Sequence, residues 1–103
     1  MIHTQLISRN SENLQTLIRQ AITEGKIKSF QIAKVAGGLK ITHKKHKGSI
    51  KFANTKGLLL ATISCKNPTK EWQLLEAFIG RLAYHFSDEL AAINIQFEFA
   101  LKE

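Results

Sequence analysis

Between positions 26 and 70 the chain has no aspartate, no glutamate and no arginine, yet it carries eleven lysines. Asp88 is the sole aspartate, and only three arginines occur in the 103 residues. Cys65 is the one cysteine, so no disulfide can form within the chain. It ends the apolar run from Leu58, where a free cysteine is expected as a small core residue. The one proline, Pro68, and the six glycines form no linker, which predicts a single domain over 1–103. The longest apolar run, about Leu58 to Ile63, falls far short of the roughly 20 residues of a membrane span. Met1 to Ser8 lacks the charged and apolar regions of a secretory leader, so the expected setting is the cytoplasm, away from membranes.

Several chemistries lack their residues. No Gly-rich phosphate loop, nucleophile elbow or local Cys/His pair occurs, and Glu71 and Glu76 stand five apart, a spacing that does not share a helix face well. The chain is therefore expected not to be an enzyme, to have no catalytic residues and to need no cofactor. His43 and His46 lie three apart on a strand and turn, with no cysteine or carboxylate in the same segment to complete a metal site. They are instead expected to join a cationic tip, gaining charge as pH falls through about 6.5.

Hydrophobic spacing defines the elements. Ile2 to Ser8 reads as a short strand. Asn10 and Ser11 are N-cap types, and Leu14, Leu17, Ile18, Ala21 and Ile22 then make one helical stripe that Gly25 ends. Four strands follow as a meander. Phe30 and Ile32 belong to the first, Leu39 and Ile41 to the second, Ile50 and Phe52 to the third. The parity change at Gly37-Gly38 marks a bulge or tight turn. The fourth strand, from Leu58 to Cys65, reads as central and buried on both faces. Asn67 and Pro68 open a second helix with the stripe Trp72, Leu75, Phe78, Ile79, Leu82, Ala83 and Phe86. Ile93, Ile95, Phe97, Phe99 and Leu101 alternate as the inward side of a last strand.

This order predicts an α+β fold with two helices packed on one face of a mostly antiparallel sheet. The simplest plan is ferredoxin-like, β-α-β-β-α-β with an elaborated middle hairpin; a helix–meander–helix layout is the alternative.

Charge distribution is the functional signal. The span 26–70 carries +11 and the two flanks together −4, giving the net +7. Lys40 and Lys51 are expected on one outer face of the hairpin, with His43, Lys44, Lys45, His46 and Lys47 at its tip and Lys56 in the next turn. A strip of ammonium groups matches the repeated charge of a nucleic-acid backbone. The lack of arginine argues for backbone contact, because arginine is the residue suited to bidentate guanine contacts. The expected function is a small nucleic-acid-binding accessory protein, RNA somewhat ahead of DNA. Its alternative is a regulatory or interaction module with an acidic protein partner. Aromatic stacking is not expected, since Phe30, Phe52, Trp72, Phe78 and Phe86 all fall at core positions of their pattern. An open sheet edge leaves room for a homodimer.

Overall fold

The computed structural model of the chain describes residues 1–10, 13–55 and 57–98. Its elements are β1 (Ile2–Ser8), α1 (Leu14–Thr23), β2 (Phe30–Ala33), β3 (Leu39–His43), β4 (Ser49–Thr55), β5 (Leu58–Ser64), a 3-10 turn (Pro68–Lys70), α2 (Glu71–Phe86) and β6 (Leu90–Phe97). The strands form one six-stranded sheet in the order β2-β3-β4-β5-β1-β6, every neighbouring pair antiparallel. The α+β class and the four-strand meander are as expected. The strand order is not that of the four-stranded ferredoxin-like sheet, because β3 and β4 stand between β2 and β5.

Alternation decides which face is buried. Ile2, Thr4 and Leu6 on β1, Leu39 and Ile41 on β3, Ile50 and Phe52 on β4, and Leu59, Ala61 and Ile63 on β5 are all buried on the side that faces the helices. The helices add Leu14, Ile18 and Ala21 from α1 and Leu74, Leu75, Phe78, Leu82 and Phe86 from α2 to one continuous core. Phe78 meets Phe30 and Phe52 edge-on, with ring centroids 6.3 Å and 5.8 Å apart, a favoured geometry for aromatic pairs. Thr4 is buried among these groups and donates its hydroxyl to the Ala61 carbonyl at 3.0 Å, which satisfies it.

Several expectations change. The cap of α1 is Asn13, whose Oδ1 accepts from Thr16 N at 3.2 Å, rather than Asn10; Ser11 lies outside the described residues. Gly25, at φ +79°, does end the helix. Of the two readings of Gly37-Gly38, the turn holds and the bulge does not: the pair sits in the connection between β2 and β3. The strand β5 lies inside the sheet, but only one of its faces is buried, since no described element covers the other and Leu58 and Leu60 stay partly exposed there. Asn67 caps the 3-10 turn that precedes α2. The buried stripe of α2 runs through Glu71, Leu74, Leu75, Phe78, Leu82 and Phe86, which leaves Trp72 and Ala83 exposed on a flank. Glu71 itself is buried. It accepts from Cys65 N at 3.2 Å and lies 3.1 Å from the Met1 ammonium.

Width accounts for a further difference, on the two edge strands. Six strands about 4.8 Å apart span about 24 Å between their outer axes, and two helices side by side cover only about 20 Å. Ile95 and Phe97 on β6 lie on the helix side, opposite Thr4 and Ile2, yet are 41% and 51% exposed. Ile32 on the opposite edge is exposed for the same reason. Phe99 and Leu101 lie outside the described residues.

Candidate nucleic-acid interface

The register divides the lysines of the expected hairpin. Lys40 and Lys51 are direct cross-strand partners on the helix-free face, in a row that continues through Thr62 and His3 to Gln96. Lys44, Lys45 and Lys47 stand in the turn between β3 and β4, at the end of the sheet where α2 begins. Lys56 lies outside the described residues.

Glycine determines how the turn sits. Gly48 has φ +115°, and a Cβ there would lie 2.6 Å from the Ser64 carbonyl oxygen and 3.1 Å from Leu74 Cδ2. Only a residue without a side chain fits that approach. It draws the turn against the end of β5 and the start of α2. Lys45 and Lys47 thereby border the same depression as Lys66 and Lys70 from the β5–α2 connection. On the other side of the turn, Lys44 and Lys45 share an open groove with Lys26 and Lys28 from the α1–β2 connection and with Arg81 from α2. Lys44 N donates to the Ser29 carbonyl at 2.9 Å, which holds the turn to that connection. Four separate segments thus place their cations at one end of the molecule. Glu76 is the acid lining the groove, and Glu24 approaches Lys26 at 3.4 Å.

His43 lines the groove, but its ring is held in a way that disfavours charge. Its Nδ1 accepts from Lys45 N at 2.9 Å and from His46 N at 3.1 Å, so the proton of the neutral ring belongs on Nε2. The ring packs edge-on against Phe30 at 4.8 Å and beside His46 at 4.6 Å. Burial, then the neighbouring His46, Lys45 and Arg81, push its pKa below the usual histidine value. A charged His43 would also lose its two acceptor contacts. Acid therefore weakens this turn through His43, against the expectation that its protonation strengthens the tip. His46 is partly exposed at the turn and lines both depressions.

Other chemistry-bearing groups lie elsewhere. Cys65, expected in the core, is partly exposed beside Lys66 and Lys70. His3 meets Glu98 at 3.2 Å on the helix-free side of the sheet. Among the described residues no group of three or more His, Cys, Asp or Glu side chains could hold a metal ion. No described helix is long and apolar enough to cross a membrane.

Sequence reasoning left out Lys26, Lys28, Lys66, Lys70 and Arg81 as members of one site. It also missed Gln73, Ala77, Gly80, Arg81 and Tyr84, a second stripe along α2 that lines the groove. Their spacing of i, i+4, i+7, i+8 and i+11 is as periodic as the buried stripe and could have been read from the sequence. Fold and site together define an α+β domain with cations gathered at one end of its sheet. No protein-family model, no curated protein and no solved structure matches the chain.

Proposed function

We propose that this chain is a non-enzymatic accessory protein that holds the phosphate backbone of a nucleic acid at its basic end, RNA ahead of DNA. The observation that carries the reading is the convergence of the turn lysines with Lys26, Lys28, Lys66, Lys70 and Arg81, drawn from four segments, around two adjoining depressions. Spaced cations of one sign on a concave surface concentrate a polyanion and displace its counterions. Lysine contributes point charge without the planar fork used to read guanine, so the contacts suit backbone more than base edges. The crossovers from β1 to β2 through α1 and from β5 to β6 through α2 support reading the sheet as a ferredoxin-like plan widened by two strands.

Titration of the nuclease-treated protein into labelled single- and double-stranded RNA and DNA tests the reading. Binding is expected to survive near-physiological salt. With about five phosphates neutralised, log K should fall against log salt with a slope of about −4.5 on duplex DNA and about −3.5 on single strands. Absence of binding at low salt, or a flat salt dependence, overturns it. A second reading rests on another observation. The edge strand β6 exposes Ile95 and Phe97, which suits an interaction module that docks a protein, acidic or a second copy, along that edge. Co-purification that nuclease leaves intact favours that reading.

A further inference from the structure

We infer that the groove between α2 and the β3–β4 turn holds an unpaired nucleotide, with its base on the Tyr84 ring and its backbone crossing α2 at Gly80. The inference rests on the nucleic-acid reading and specifies which form of the polymer the site takes. Three observations carry it. Tyr84 is the chain's one tyrosine, lines the groove and is 77% exposed, the highest exposure among the large apolar side chains of the described residues. The one aromatic ring it meets among the described residues is the neighbouring His85, edge-on at 4.9 Å, and most of its own surface faces solvent. Lys44, Lys45 and Arg81 border the same groove, so an aromatic face and phosphate-binding cations are available to one ligand.

The third observation is Gly80. It lies inside the 16-residue helix α2, where glycine is less favourable than alanine. Glycine is useful in a helix where another chain segment packs closely, but a Cβ built at Gly80 meets nothing within 4 Å. No contact among the described residues requires it. It lines the groove three residues after Ala77 and four before Tyr84, two other lining positions, and leaves a gap in the helix wall there. A strand whose backbone passes close to the helix at that gap would account for a residue that the packing does not.

Base stacking on an aromatic ring beside a basic groove is the usual means by which proteins hold single strands, and a base paired in a duplex cannot offer its face in this way. The groove therefore selects unpaired over paired nucleic acid. Glu76, in the same wall, excludes phosphate from its own vicinity and confines the backbone to the side of the turn lysines.

The test uses fluorescein-labelled oligo(U) and oligo(dT) and a duplex RNA of equal length, at one salt concentration. Tyr84→Ala should weaken binding to the single strands by roughly five- to a hundredfold and leave the duplex unchanged, and Tyr84→Phe should retain binding. Gly80→Leu should keep or raise the melting temperature, because leucine favours the helix and has open space, while it blocks the single strands. Gly80→Ala supplies a smaller version of the same change. In a Trp72→Phe background, Tyr84 is the only strong intrinsic emitter, and its fluorescence should be quenched on addition of oligo(U). Wild-type affinity for single strands in both Tyr84→Ala and Gly80→Leu, or equal losses on duplex, overturns the inference. If the triple variant Lys44→Glu/Lys45→Glu/Lys47→Glu then still abolishes binding, the backbone reading stands without it. If the wild type binds none of the probes, both fall.

Discussion

The turn lysines and the face lysines come from one stretch of sequence, but the fold gives them different surroundings. Lys44, Lys45 and Lys47 are joined by cations from three other segments in concave surroundings. Lys40 and Lys51 face each other on an open sheet whose row continues through threonine, histidine and glutamine. A count of lysines therefore overstates the strip and understates the end. Charge along a chain indicates a polyanion partner only where the fold makes the charges converge.

The largest expected effect separates the two groups directly. Lys44→Glu/Lys45→Glu/Lys47→Glu should lower nucleic-acid affinity at least about a hundredfold and flatten the salt slope. Lys40→Glu/Lys51→Glu should lower it less than about tenfold, through field alone. Equal losses in the two variants, measured by anisotropy at matched salt, would erase the distinction and restore the continuous strip.

How much of this was legible in the sequence follows from the range of each signal. A period of two placed Lys40 and Lys51 on one outer face, and the register makes them partners. The same rule gave the inward set of the meander. It could not say how far the helices reach, so Ile95 and Phe97 read as core and prove exposed. Trp72 misled for a related reason. It sits at the margin of the apolar arc of α2, where a large side chain joins the core only if a neighbour stands above it. The join between Lys47 and Lys66 depends on Ser49 pairing with Ser64 and on the missing side chain of Gly48. Both are tertiary facts that no local window contains. The role of His43 was equally hidden, since the sequence shows a histidine among lysines and not the two N–H groups aimed at its ring.

The turn can be probed through pH. His43 has a lowered pKa in the fold, so the unfolded chain takes up its proton more readily. Its contribution to stability is full above the unfolded value of about 6.5 and is lost as pH falls below that towards the folded value. NMR titration should place the His43 midpoint below that of a histidine in an unstructured peptide. Thermal melts should show less loss between pH 7.5 and 5.5 in His43→Asn than in the wild type. A His43 midpoint at or above the peptide value would remove the turn from the account of what shapes the basic end.

The smallest effect belongs to the face. Two like charges directly opposite on neighbouring strands are unfavourable, so Lys51→Thr should stabilise the domain by about 0.5 kcal/mol in chemical denaturation, with affinity nearly unchanged. A destabilised variant would mean that the lysine stems pack usefully across β3 and β4.

The place of β1 between β5 and β6 has a consequence for how the protein is made. Strands β2 to β5 follow one another through short connections and can assemble as they emerge from the ribosome. The first strand has no neighbour from its own part of the chain; its partners begin at Leu58 and Leu90. At ordinary synthesis rates of about 5–20 residues per second, β1 stays unmatched on its β6 side for roughly 4 to 16 seconds. During that interval the backbone N–H and C=O groups on the β6 side of β1 are open to any other strand. The arrival of β6 thus covers that edge of β1, and truncation before Leu90 should lead to aggregation rather than to a smaller folded domain.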